Sequence, residues 1–572
     1  MATLHKHILS SPSSLVVDAL VGVSAVNPNA TVDKQHKVLY LVEPDRSRVA
    51  IISGGGAGHE PAHSGFVGEG MLTAAVCGDV FASPNANQVK RALELVENDK
   101  GTLMVVKSYT GDILNFGLAR EQYCAVNPSK IHSLKFVVVG DDVSVGKKQG
   151  EIVGRRGLAG TVLVYKIAGA LAQRGASLED VHRIAQFVAD RLGTIAVGLE
   201  HCHVPGTEPG STHLKDDEIE VGMGIHNESG HSRIRPIPAL PDLVDKLLGY
   251  LFATPETDED RAFLPWPKKG ASRNCVLLVN NLGGLSALEL SSAAKTIAET
   301  IGKSGVNIER MLVGTYMVDI SKYARVFCHT TPAPTTERGG APPRTDSSTS
   351  GTQAEEATSS QKKDNAPASN QFSDSVRQAC NALIQAEPEI TQMDQIVGDG
   401  DCGTTLKAGA EAVLDTLNKP DFGSYGAVGF ISQIGQIVGD AMGGTSGALY
   451  SIYLSALAQG LQGNLGEPTR AQYAEAAAFA LGRLYTYTRA RPPSRTLVDP
   501  LATFVELLKD PGINLDQAFE AAQRAAEDTK NLPARVGRAA YVNAEAVKGT
   551  RDPGAWGIRC LLQGLLKGTS KQ

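Results

Sequence analysis

The chain has 572 residues, more than one ordinary hydrophobic core organises, so two or more domains are expected. Hydrophobic residues make up 42% and charged residues 20%, the balance of a soluble globular protein; a net charge of -6 without a Lys/Arg-rich block excludes a general drive toward nucleic acid. The eight cysteines are scattered with no Cys-x-x-Cys pair, which argues against a disulfide framework or structural zinc and for a reducing compartment.

From the N-terminus, Leu15 to Val26 comes nearest to a signal-peptide core or a membrane span, but Asp18 interrupts it and it is too short to cross a bilayer. No membrane association is expected, and the cytoplasm is the default location. Short β-branched runs then recur at Val49 to Ile52, Leu103 to Val106, Phe136 to Val139, Ile195 to Leu199 and Cys275 to Val279. Helical patterns such as Leu178 to Leu192 and Leu288 to Ile301 alternate with them, which predicts an α/β domain.

Three places in this half carry chemistry. The first run leads into Ser53-Gly-Gly-Gly-Ala-Gly-His59-Glu60-Pro61, where clustered glycines expose backbone amides to an oxygen-rich small molecule. Neither a Walker loop nor the dinucleotide spacing is present. The second run continues into Lys107-Ser-Tyr-Thr-Gly-Asp112, a lysine and an aspartate at the carboxyl edge of a strand, able to donate to a substrate oxygen and to accept a hydroxyl proton; standing alone they read first as a solvated ion pair. The third place is His226, set between Gly224 and Gly230 with few bulky sequence neighbours, an accessible imidazole able to add to a carbonyl carbon. His201-Cys202-His203 is a poor metal site, because adjacent residues rarely point at one ion.

From about Thr330 to Asn370 the chain is Pro, Ser, Thr, Gly and charge with almost no apolar residues, the composition of a flexible linker. Its random-coil span is on the order of 35 Å. Beyond it strand-like runs nearly vanish and alanine-rich patterns dominate at Ala471 to Leu484, Leu515 to Ala526 and Arg538 to Val547, predicting an all-helical domain. The division is therefore an α/β domain over residues 1–330, a linker over 331–370 and an all-α domain over 371–572.

The second half opens on Asp394-Gln-Ile-Val-Gly-Asp399-Gly-Asp401-Cys-Gly-Thr-Thr405. Three carboxylates so close repel one another unless a cation or hydrogen-bond donors hold them ionised, and magnesium favours such oxygen ligands together with phosphate. Thr404 and Thr405 stand where a helix begins, a place for exposed amides to meet an anion. The alternative is an acidic surface turn; the EF-hand pattern fails, since no Glu falls at the twelfth loop position.

Together these segments, with Gly70 to Val76, Gly78 to Pro84, Asn280-Asn-Leu-Gly-Gly-Leu-Ser286 and Gly443-Gly-Thr-Ser-Gly-Ala448, resemble the single-chain, ATP-dependent dihydroxyacetone kinase family over nearly the whole chain outside the linker. The resemblance implies a two-lobed α/β substrate domain followed by a helical nucleotide domain. It implies that His226 holds the carbonyl carbon of dihydroxyacetone, or of glyceraldehyde, as a hemiaminal. His59 and Asp112 then act on the hydroxyl that receives phosphate, while Gly56, Ala57, Gly58, His59, Lys107 and Asp112 bind the substrate. Two magnesium ions are implied on Asp394, Asp399 and Asp401. ATP is implied among Asp401, Cys402, Gly403, Thr404, Thr445, Ser446, Thr488, Thr496, Leu497, Arg538, Asp552, Pro553 and Gly554. A homodimer in which the helical domain of one subunit serves the other is implied as well.

Some positions depart from the family pattern. Ala57 stands for serine, Ser229 for proline, and Thr488-Arg489 with Pro493-Ser494 for a glycine pair and a Gly-Asp pair in the nucleotide loop. A lyase forming a cyclic flavin phosphate from FAD, and a regulatory triose-binding protein, are the alternatives that the family offers. Fusion of both halves in one chain argues for free ATP as the phosphoryl donor.

Overall fold

The computed structural model describes residues 7–9, 11, 13–203, 205, 214–226, 228, 230–267, 272–318, 325–332, 370–397, 400, 402–419, 426–442, 444–463, 467–533 and 548–569. Nearly all of the expected linker, and the helical pattern Arg538 to Val547, lie outside the described residues. The first half is built on two sheets. One holds β1 (Ala30–Asp33), β2 (Val38–Leu41), β3 (Ala50–Ala57), β4 (Ala74–Val80), β5 (Thr102–Lys107) and β6 (Leu134–Val139) in the order β1-β2-β4-β3-β5-β6. Strands β4, β3, β5 and β6 are parallel, and every residue of β3 and β5 is buried.

That burial follows from helices on both faces, the arrangement a parallel sheet requires. Alternate residues point to opposite sides. Ile52, Val76, Met104 and Val106 meet α2 (Ala86–Leu95) and α3 (Thr110–Val126), whereas Ile51, Leu103, Val105 and Val137 meet α5 (Gly160–Gln173) and α6 (Leu178–Ala189). A shorter helix, α4 (Lys147–Val153), lies between β6 and α5 in the chain. The sequence suggested that strand would give way to glycine turn after Ile52; instead β3 runs on through Ala57. A Cβ at Gly54 would collide with the Val76 carbonyl, so glycine is what allows β3 and β4 to stay paired there.

The second sheet comprises β7 (Gly193–Gly198), β8 (Ile219–Val221), β9 (Ser232–Ile234), β10 (Arg273–Asn281), β11 (Val306–Gly314) and β12 (Arg325–Pro332), ordered β11-β10-β12-β7-β8-β9. Its separate core packs Ile195, Val197, Leu277 and Val279 against α7 (Leu240–Leu251) and α8 (Ala287–Lys303). Buried Asp141 joins the lobes: it accepts from Thr194 Oγ1 at 2.5 Å and from the amides of Leu158 and Gly160 at 2.6 and 3.0 Å.

After β12 the described elements are helices: α9 (Asn370–Val397), α10 (Cys402–Leu417), α11 (Gly426–Ala441), α12 (Gly444–Gly460), α13 (Arg470–Tyr487), α14 (Val498–Leu508), α15 (Leu515–Asp528) and a last helix, Pro553–Thr569. Their apolar faces share one cluster with α2 and α3, so the core of the first sheet continues into the helical half through Leu449, Ile452, Leu484 and Tyr487. No helix among the described residues is long and apolar enough to cross a membrane.

Candidate active site

Neighbouring parallel strands β3 and β5 bring Gly56 and Lys107 to the same carboxyl edge, the place where open α/β sheets bind ligands. Beyond β5, Ser108 and Tyr109 turn the chain into α3, whose first turn carries Asp112. Lys107 and Asp112 are buried, with 1% and 3% exposure. Both converge on Gly55, where a Cβ would lie 3.0 Å from Lys107 Nζ and 3.3 Å from Asp112 Oδ2. Asp112 accepts a hydrogen bond from Ser83 Oγ, whereas Lys107 Nζ has no hydrogen-bond partner among the described residues. The exposed ion pair is thus not what forms. Burial pushes the Asp112 carboxyl up against the opposing pull of the Lys107 ammonium, and burial likewise pushes Lys107 down.

His59 follows β3, and its ring joins three distant parts of the chain. Nδ1 lies 3.0 Å from the Val318 carbonyl oxygen, and Nε2 lies 3.0 Å from His226 Nε2. The Asn280 side chain presents that carbonyl: its Oδ1 accepts from the amides of Tyr316 and Met317 at 2.8 and 3.1 Å, and its Nδ2 donates to Met317 O at 2.6 Å. On the far side of His226, Glu228 accepts from ring Nδ1 at 3.0 Å and from the backbone amide at 2.8 Å. Burial works to raise Glu228, but the hydrogen bonds and charge of His226 hold it down at about 2.

The partners assign the protons. A carbonyl oxygen only accepts, so His59 Nδ1 carries hydrogen; ionised Glu228 only accepts, so His226 Nδ1 does too. The Nε2–Nε2 contact needs one more proton. Burial and then the charge of Lys107 hold His59 well below the ordinary imidazole range. The pair therefore carries one positive charge, facing Glu228.

The glycines and small residues around His226 in sequence predict an open surround for its ring. The ring instead stands edge-on to Tyr109, Phe81 and His59 at centroid distances of 4.9, 5.2 and 4.8 Å, and its side chain remains 23% exposed. Phe81 reaches it from a left-handed backbone, φ 58°. Of the expected glycine-loop donors, the amide of Gly58 is occupied by Glu60 Oε2 at 2.8 Å, and Ala57 O accepts from Phe81 N at 2.9 Å.

In the helical half, Asp394 is buried near the end of α9 and accepts from the Cys402 amide at 2.9 Å, where α10 begins. Gly403 and Thr404 lie in that first turn; Thr445 and Ser446 lie in the first turn of α12. Asp499 gathers the loop before α14, accepting from the amides of Ser494 and Thr496, each at 2.8 Å. Asp552 caps the last helix, Pro553 and Gly554 open it, and a Cβ at Gly554 would touch Leu497 at 3.4 Å. Burial pushes Asp552 up to about 7, with the charges of Asp499 and Asp394 adding to the rise and buried Arg495 opposing it.

Cys402, Asp394, Asp499, Asp552 and Leu497 therefore stand close together. Tyr450 of α12 is within electrostatic reach of Cys402 and Asp552. Thr488 sits apart at the end of α13, beside Arg489, which donates to Gly150 O at 2.6 Å. Asp399, Asp401 and Arg538 lie outside the described residues, and no group of three metal-type ligands forms among the described ones. Sequence reasoning missed Glu228, Ser83, Val318 and Asp499. An acid two residues beyond His226 was the one visible signal among them.

The Dak1 domain family matches residues 21–323, and the DAK2 domain family matches residues 396–567. The chain is 40% identical to dihydroxyacetone kinase 2 of Saccharomyces cerevisiae, covering 98% of this chain and 99% of that one. The chain belongs to the dihydroxyacetone kinase family. It is also 41% identical to the dihydroxyacetone kinase of Pichia angusta, over 97% of each chain, and 36% identical to the human triokinase/FMN cyclase, over 98% of this chain and 99% of the relative. Among solved structures it matches the dihydroxyacetone kinase from C. freundii in complex with AMP-PNP and Mg2+, at 30% identity and a TM-score of 0.50, covering 98% of this chain and 99% of that one.

Proposed function

We propose that the chain transfers the γ-phosphoryl group of ATP to dihydroxyacetone, and also to glyceraldehyde, while His226 holds the substrate as a hemiaminal. The observation that carries this reading is the hydrogen-bonded line Glu228–His226–His59 lying beside buried Lys107 and Asp112. In the step we propose, the proton on His226 Nε2 passes to His59 Nε2, freeing a lone pair. That pair attacks the carbonyl carbon, and the π electrons move to oxygen, which takes the proton back from His59. His226 is left as an alkylated imidazolium whose Nδ1–H stays on Glu228, so charge and protons balance. Lys107 Nζ, with no hydrogen-bond partner among the described residues, has donors to offer a substrate oxygen. Asp112 takes the proton of the far hydroxyl as that oxygen bonds phosphorus and ADP leaves.

The acidic end suits magnesium: burial raises Asp552 to about 7, the nearby Asp499 and Asp394 carboxylates add to the rise, and a cation would relieve both. Asp394 with Asp399 and Asp401 would hold it, and the ion would neutralise phosphate charge. The test is ADP release by the full-length chain with ATP, magnesium and a panel of small ketoses and aldoses. Turnover highest with the trioses is expected; no release above that with nucleotide alone would reject the reading. The name triokinase/FMN cyclase of the human relative favours one second activity, a cyclic flavin phosphate formed from FAD at the nucleotide end.

The same reading fixes a pH profile. Asp112 must be ionised, and burial raises it, so the acid limb of kcat/KM should fall above the ordinary aspartate value of about 3.9. Lys107 must be charged, and burial lowers it, so activity should decline on the alkaline side below the usual lysine value of about 10.4. Limbs at the ordinary values would contradict these assignments.

A further inference from the structure

We infer that Glu121, which touches neither ligand, is a positioning residue that sets the nucleotide-bearing half against Asp112; this rests on the functional reading above. Glu121 lies on α3, the helix that carries Asp112, roughly 13 Å further along at a rise of about 1.5 Å per residue. Its side chain is fully buried, and among the described residues its side-chain hydrogen bonds come from the helical half save one. Arg483 Nη2 donates to Oε1 at 2.6 Å, the Tyr487 hydroxyl also donates to Oε1, and Gln459 Nε2 donates to Oε2 and to the backbone oxygen, each at 2.9 Å. Arg120 Nη1, from α3 itself, completes the set at 2.6 Å.

Around this knot the fit is close. The Tyr487 ring lies on Gly117, where a Cβ would be 2.5 Å from Cδ1. Gln122 Nε2 reaches Ser451 Oγ at 3.2 Å, and Gln462 Nε2 reaches the Ala125 oxygen at 3.0 Å.

The knot ties down the two elements that lead to the nucleotide end. Helix α13 delivers Arg483 and Tyr487 and runs straight into the loop from Thr488 to Leu497. Helix α12 delivers Ser451 and Gln459 and begins at the turn carrying Thr445 and Ser446. Two guanidinium groups share one fully buried carboxylate, with Arg120 nearly buried and Arg483 23% exposed. Such an arrangement adds little net stability over apolar packing, but it is costly to leave half-paired, so it admits one register between the helices. Asp112 and the nucleotide loop are thereby held at a set separation, which in-line phosphoryl transfer needs.

The test uses full-length Glu121→Gln and Tyr487→Phe. Each is assayed for kcat with dihydroxyacetone and ATP, for dihydroxyacetone affinity without nucleotide, and for magnesium–ADP affinity without triose. We expect kcat to fall about 10- to 100-fold in Glu121→Gln and several-fold in Tyr487→Phe, with both affinities within about twofold of wild type. Unchanged kcat, or affinities that fall in step with kcat, would overturn the inference by pointing to a structural role alone. If Glu121→Gln does not fold, Tyr487→Phe decides, since it removes one hydroxyl and keeps the ring on Gly117. An inactive wild type would sink the functional reading together with this one; active wild type with unimpaired variants sinks this one alone.

Discussion

His226→Ala should lower turnover of dihydroxyacetone by at least about 10³-fold and leave magnesium–nucleotide binding unchanged. The reason lies in how little else could orient the substrate. Beside His226 the buried polar groups are Lys107 Nζ and the Asp112 carboxylate, and the surrounding rings are those of Phe81, Tyr109 and His59. A triose with no covalent tether would rotate among several poses there. The alanine variant also removes the imidazole that Glu228 hydrogen-bonds, leaving a partly buried carboxylate without that partner. The measurement is ADP release under saturating ATP. Equal turnover in variant and wild type would remove the hemiaminal from the mechanism, and cyclic flavin phosphate formation, if present, should survive the substitution.

Asp112→Asn should cut kcat by about 10²- to 10⁴-fold, the usual contribution of a general base. The asparagine is nearly isosteric, and its Oδ1 still accepts from Ser83 Oγ, so the first turn of α3 keeps its shape. Triose affinity measured without nucleotide should change little. Single-turnover phosphorylation by the variant at the wild-type rate would show that another group takes the hydroxyl proton, His59 being the nearest candidate in the pocket.

Much of the scaffold was legible because its signals are local. Buried parallel strands read as β-branched runs, and the alanine-rich second half read as helix; β3, β5, β6, β7 and β10 and the helices α6, α8, α13 and α15 stand where those patterns lie. The strands missed were the short β1, β2, β8 and β9, whose three or four residues give too little periodicity to read, and also the longer β4, β11 and β12, whose sequences mix apolar residues with glycine, polar or charged ones. In the site, glycine clusters and acids flagged the right stretches but not their partners. Val318 meets His59, Ser83 meets Asp112 and Arg483 meets Glu121 across long sequence separations, and only tertiary packing brings them together. Asp112 and Lys107 looked like an exposed pair for the same reason, because burial is a property of the fold rather than of the dipeptide context.

The bond between the two imidazole nitrogens also acts as a gatekeeper. Any visitor to Nε2 must first break it, and what the visitor gives back decides whether it stays. On the proposed hemiaminal reading, a ketone or aldehyde would return a covalent link to carbon. A polyol such as glycerol, only two hydrogens richer than dihydroxyacetone, would return no more than another weak polar contact, so the enclosure would discriminate by oxidation level rather than by size.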